Sequence, residues 1–125
     1  MMTDKELIQK YPFLEIKDKR AYPGMTGTWL SDLPEGWEEK LLEMCDEIMG
    51  IAHNYIDKLI VIQTKEKFGG LRFYFDGGDN TIEGMVWFAE NLSYSICENC
   101  SKFATIRNVD GWLTTLCDDC YYKDK

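Results

Sequence analysis

The residues with the clearest chemical potential lie near the C-terminus, where Cys97-Glu-Asn-Cys100 is followed, after sixteen residues, by Cys117-Asp-Asp-Cys120. Two C-x2-C pairs at this separation suit a four-thiolate metal site, because each short knuckle presents two sulfurs to one tetrahedral ion and turns backbone amides toward them. Zn2+ is the expected metal. Four cysteines on one ion leave no open coordination position, so its role is expected to be structural rather than catalytic. Two disulfides, a rubredoxin-like iron site and a redox C-x-x-C are the alternatives. The odd total of five cysteines and the absence of an apolar leader in MMTDKELIQK count against disulfides. With four thiolates the holo site carries a charge of about −2, which Lys102, Arg107 and Lys123 are close enough in sequence to offset.

The segment between the knuckles supports this reading. Phe103–Arg107 and Trp112–Leu116 have the composition of strands, and Asn108-Val109-Asp110-Gly111 joins them as a turn, so a hairpin would bring the two cysteine pairs together. The expected module is a zinc-ribbon-like or treble-clef-like finger.

Other chemistry is sparse. His53, the single histidine, falls at the margin of an apolar helical stripe and reads as a surface or boundary residue. Cys45 lies inside that stripe and reads as an inert buried thiol. Glu38-Glu39 and Asp118-Asp119 read as solvated acids, so no catalytic grouping is visible and a non-enzyme is expected.

The elements that must position the cysteines follow from periodicity. Thr3-Asp4-Lys5-Glu6 is a capping box opening a first helix that Pro12 stops. A short extended piece near Phe13–Ile16 and a long loop follow, with Tyr22 and Trp29 pinning the loop to the core and Pro23-Gly24, Gly27, Pro34 and Gly36 as breakers. Trp37, Leu41, Met44, Cys45, Ile48, Ile51, Ala52, Tyr55 and Ile56 mark a helix running to about Lys58, with Leu42 and Met49 widening its stripe. Two strands follow. Ile60, Ile62 and Thr64 share a face of the first, Leu71, Phe73 and Phe75 of the second, and Phe68-Gly69-Gly70 is the turn. Asn80-Thr81-Ile82-Glu83 offers a second capping box for a helix to about Ile96, with Ile82, Met85, Val86, Ala89, Leu92 and Ile96 facing the core. The expected fold is α+β: helices packed on a small antiparallel hairpin, residues 1–96, with a metal-binding module, residues 97–125, packed on that core as one compact unit.

Lys65-Glu-Lys-Phe-Gly-Gly-Leu-Arg-Phe-Tyr-Phe75 gathers three basic residues and four aromatics. A phosphate loop would lead into a helix N-terminus, whereas this glycine pair leads into a strand. An RNA-stacking strand would carry a different glycine–aromatic order. Charge agrees: the chain carries −8, and residues 1–58, 59–95 and 96–125 hold 7, 3 and 4 basic against 12, 5 and 5 acidic side chains, so no segment is net basic. Nucleic-acid binding is therefore disfavoured, although a finger patch of Lys102, Arg107 and Trp112 is the alternative to protein binding. The longest aliphatic run, Leu59–Ile62, is far too short for a bilayer, and a cytoplasmic setting is expected.

With these residues in view the chain resembles a group of short uncharacterised proteins encoded by bacteriophages, prophages and related mobile elements. The resemblance rests on Thr28-Trp-Leu-Ser-Asp-Leu-Pro-Glu-Gly-Trp37, on the Lys65–Tyr74 hairpin and on the C-x2-C, Gly111-Trp112, C-x2-C ending. It implies a phage or mobile-element setting and a metal-binding C-terminus, and no activity. An accessory protein that binds a host protein, blocking a defence system, is the functional expectation. Trp87 and Tyr94, off the core face of their helix, and Trp112 are its candidate partner residues; they face a host protein or a second copy of the chain, unless the finger folds back over the helix through Phe103 or Trp112.

Overall fold

The computed structural model describes residues 2–17 and 27–123. The expected roles of Tyr22 and Pro23-Gly24 lie outside the described residues. The fold is α+β, with helices α1 (Asp4–Lys10), α2 (Glu38–Ala52), α3 (Asn80–Ser93) and α4 (Asp118–Tyr122) and two antiparallel hairpins, β1 (Ile60–Lys67) with β2 (Gly70–Asp76) and β3 (Thr105–Val109) with β4 (Trp112–Leu116).

Local chemistry sets the starts of the helices. Thr3 and Glu6 form the reciprocal capping box of α1. The cap of α3 falls one residue earlier than expected, on Asp79, whose carboxylate accepts from the amide of Ile82 at 3.0 Å. Rather than an extended piece, Pro12–Leu14 is a 3-10 turn that buries Phe13 and Leu14, and Glu15 then bridges to Thr28. The α2 helix ends at Ala52, earlier than its apolar stripe suggests; Tyr55 and Ile56 still pack on the core, through a 3-10 turn at Ile56–Lys58. Ile51 is exposed, outside the stripe that Leu41, Met44, Cys45, Ile48 and Ala52 bury.

The first hairpin contains a bulge at Ile62, so Val61 pairs with Phe75 and Gln63 with Tyr74. An extra residue flips the alternation. Val61 is therefore buried and Ile62 exposed, while Leu71 and Phe73 of the facing strand are buried. The turn itself is Phe68-Gly69, both with positive φ (54° and 84°), the pattern of a type I′ turn. Gly70 belongs to β2. It needs to be glycine for a different reason: a Cβ there would lie 2.5 Å from the Tyr94 ring.

The outer edge of β2 is covered by α3. The amide of Leu71 donates to Ser93 Oγ at 2.8 Å and that of Phe73 to Glu90 Oε2 at 2.9 Å, so two helix side chains satisfy strand groups that would otherwise face open solvent. The main core lies among α2, α3 and the first hairpin, with Tyr11, Phe13, Trp29 and Trp37 closing it from the N-terminal side. A second, smaller apolar cluster, Cys97, Ala104, Leu116 and Cys117, belongs to the C-terminal module.

Candidate metal centre

Three pieces of backbone bring the four cysteines together. The first knuckle, from Cys97 to Cys100, is closed by Cys97 N–H to Lys102 O (2.8 Å) and Ser101 N–H to Cys97 O (3.1 Å), with Ser101 at φ 74°. The β3–β4 hairpin then reverses the chain through Asp110-Gly111, a second turn with two positive φ values, in which Asn108 Oδ1 accepts from Gly111 N–H. Finally Cys117 is the N-cap of α4 and Cys120 lies in its first turn, its amide 3.5 Å from Cys117 Sγ. Knuckle, hairpin and helix follow in that order, compatible with the expected zinc-ribbon-like or treble-clef-like module.

All four sulfurs lie within 4.8 Å of one another, and Cys100 Sγ and Cys117 Sγ are 3.5 Å apart. Sulfurs bound at about 2.3 Å to a tetrahedral centre are separated by about 3.8 Å, so the cluster has the size of a tetrahedral thiolate site. None of the five cysteines is in a disulfide. The donor set fits a metal ion, and Cys45, fully buried in α2, stands apart from it.

The electrostatics of the bare site show what the cluster lacks. Burial raises the Cys97 thiol, yet the amides of Cys117, Cys100 and Asn99 outweigh it and bring the group down to about 6. Cys120, hydrogen-bonded by Cys100 and then Cys117, is pushed up to about 12. The thiols of the cluster pull one another's titration apart, because four negative charges cannot gather without a cation. Lys102 and Arg107, expected to offset the site charge, pair with α4, and Lys102 is held above its usual range by Asp119 first and then by Cys100 and Cys117 of the site. Lys102 Nζ pairs with Asp119 at 3.4 Å; Arg107 pairs with Asp118 and lies 4.6 Å over the Tyr121 ring.

Sequence reasoning missed how firmly the core grips the first knuckle. Gly36 N–H donates to Glu98 O at 2.7 Å, Gly36 O accepts from Ser101 Oγ at 2.6 Å, and Trp37 Nε1 donates to Ile96 O at 3.0 Å. A Cβ on Gly36 would lie 2.7 Å from the Glu98 carbonyl carbon and nearer still to Cys97 O. From the other side Thr115 Oγ1 donates to Gly69 O at 2.6 Å, while Glu98 pairs with the free edge of β4, donating to Thr115 O (2.9 Å) and accepting from Thr115 N–H (2.6 Å). The signal available in sequence was the run of Gly36-Trp37 and Gly69-Gly70, small residues beside large ones where two backbones meet.

The candidate partner residues separate. Trp87 and Trp112 are 63% and 77% exposed, whereas Tyr94, just past the end of α3, lies over Gly70 and its hydroxyl accepts from Arg72 at 3.0 Å. Tyr94 is therefore packing, and the expected Trp87–Tyr94 stripe does not exist. The finger does not cover α3 through Phe103 or Trp112 either, for both are largely exposed. Phe88, which periodicity did not single out, is as exposed as Trp87. His53 is exposed at the end of α2, with Nδ1 3.0 Å from Gly50 O. No helix among the described residues is long and apolar enough to cross a membrane. Set beside known proteins, the chain matches no family model, no curated protein and no solved structure.

Proposed function

We propose that this chain is a non-enzymatic accessory protein of a bacteriophage or mobile element, in which a structural Zn2+ on Cys97, Cys100, Cys117 and Cys120 fixes a rigid body that binds a host protein in the cytoplasm, with a component of bacterial defence as the target class. The observation that carries the reading is the closed set of four sulfurs, which leaves a metal no position for substrate, on a chain that also exposes Trp87, Phe88 and Trp112. Exposed aromatics of this size are characteristic anchors of protein interfaces. The net charge of −8 favours a basic face on the partner. The nucleic-acid alternative has less support, since Lys102 and Arg107 are already paired with Asp119 and Asp118.

Two measurements test it. Elemental analysis of protein purified without chelator should give one zinc per chain, lost in Cys117→Ser; iron in its place, or zinc unchanged by the substitution, refutes the metal assignment. A tagged chain in bacterial lysate should retain a defined protein that Trp112→Ala or Trp87→Ala releases without lowering the melting temperature. Retention of nucleic acid in a steeply salt-dependent manner would favour the alternative.

A further inference from the structure

Between α2 and α3 runs an open apolar trough of about 450 Å3. Leu41 and Met44 of α2, Leu71 of β2 and Ile96 form its floor, Met85 and Leu92 its wall on α3, and the exposed Phe88 its lip. The polar groups inside are already used. Ser93 Oγ accepts from Leu71 and donates to Glu90 O, and Trp37 Nε1 donates to Ile96 O. The buried part of the trough therefore offers no free polar group, so its occupant must be apolar there, while the exposed Lys40, Glu43, Glu47 and Thr81 also line it.

Two features argue that the space is kept for something. Gly84 sits in the interior of α3 on the wall of the trough, where a Cβ would meet nothing within 4 Å. Glycine weakens a helix interior, and here no neighbour requires it. Along the opposite lip Glu43 and Glu47 follow one another at i, i+4, a like-charge spacing that disfavours the helix carrying it. Lys40 neutralises Glu43 at 3.2 Å, whereas Glu47 has no ion-pair partner among the described residues. The α3 wall, fourteen residues long, runs for about 21 Å, the length of about four helical turns. Met44 and Met85 give the trough adaptable walls.

We propose that the trough between α2 and α3 is the docking site for an amphipathic helix of the partner protein, its apolar stripe seated over Met44 and Met85 and its flanking lysines or arginines meeting Glu43 and Glu47. The assignment rests on the protein-binding reading above and gives that partner a chemistry. It also accounts for the acidic net charge as a means of steering a basic segment to the trough.

The test uses the full metal-loaded chain and a labelled Leu/Lys helix of about 16 residues, long enough to be helical when docked, with one apolar stripe and one basic flank. Fluorescence anisotropy should show saturable binding. Gly84→Leu, which keeps every charge and introduces a side chain where there is open space, should remain folded and weaken binding at least about tenfold. Reversing Glu43 and Glu47 to lysine should weaken the Leu/Lys helix and favour a Leu/Glu one. No binding, equal binding by Gly84→Leu, an unchanged preference after charge reversal, or uptake of dodecanoate in place of the helix each overturns the proposal. A lysate partner that survives Gly84→Leu but is released by Trp112→Ala would overturn the trough while leaving the protein-binding reading standing.

Discussion

Gly36→Ala isolates the contact by which the core holds the metal module. Gly36 is not in the left-handed region, so alanine is conformationally acceptable there, and the effect is steric. The added methyl would sit 2.7 Å from the carbonyl carbon of Glu98, a backbone atom that cannot swing aside as a side chain would. Separating the strands of chain breaks Gly36 N–H to Glu98 O and Ser101 Oγ to Gly36 O. Two hydrogen bonds at about 1 kcal/mol each, with overpacking of about 1–3 kcal/mol and less than about 1 kcal/mol regained from replacing glycine, give a net loss of about 2–5 kcal/mol. For a chain of this size that is a fall of about 6–20 °C in melting temperature. The same substitution at Gly84, where a Cβ has open space, should raise stability by about 0.5–1 kcal/mol. Calorimetry of both variants, with metal release followed by a chromogenic chelator, should show Gly36→Ala melting lower and losing metal sooner. If the two variants melt together, or Gly36→Ala keeps wild-type metal retention, the contact does not carry the load assigned to it.

Thiol alkylation followed by mass spectrometry should find four cysteines protected by metal and released by chelation, with Cys45, pushed up to about 12 by burial, labelled only on global unfolding; labelling of Cys45 along with the others would place it at the site or the surface. Gly70→Val should destabilise by about 1–3 kcal/mol through displacement of the Tyr94 ring and its bond to Arg72, whereas replacing Lys65 and Lys67 with alanine should change stability by less than about 0.5 kcal/mol; melting curves of the two variants decide it. Asp79 is held below 3.8 by the amide of Ile82 and the Tyr55 hydroxyl, so its stabilisation is complete above that value and is lost as pH falls through the lower folded value; Asp79→Ala should melt below wild type at pH 7, with the gap closing in acid, and a constant gap would refute the assignment.

What could be read from the sequence was local. The Thr3–Glu6 box, the core positions Leu41, Met44, Cys45 and Ile48 of α2 and Ile82 and Val86 of α3, and the spacing of the cysteines each depend on residues within a few positions of one another, and these appear where expected. What could not be read depended on distant chain. The bulge at Ile62 is a property of pairing with β2, and the early end of α2 reflects Tyr55, whose hydroxyl bonds Asp79 at 2.7 Å across the hairpin. Trp87 and Tyr94 seemed to share a face because seven residues make about two helical turns, but Tyr94 caps α3 and packs on a glycine of β2.

The three motifs that looked independent in sequence meet in one place. Gly36-Trp37 clasps the first knuckle from the side of α2, Gly69 receives Thr115 from the side of the first hairpin, and the knuckle itself pairs with β4 through Glu98. Each contact uses main-chain groups, which explains why glycines and not large side chains mark the spots. It also settles where metal binding is felt. The module's own cluster of Cys97, Ala104, Leu116 and Cys117 is small for a hairpin and a five-residue helix, and an ion held by the four sulfurs would add to that order. Once ordered, the module gives Trp37 Nε1 and Gly36 N–H, both at the top of α2, the acceptors they need, and an indole N–H buried without one costs about 1–3 kcal/mol. A metal bound at residues 97–120 would thus be coupled through Gly36 and Trp37 to the start of α2, the same helix that forms one wall of the apolar trough.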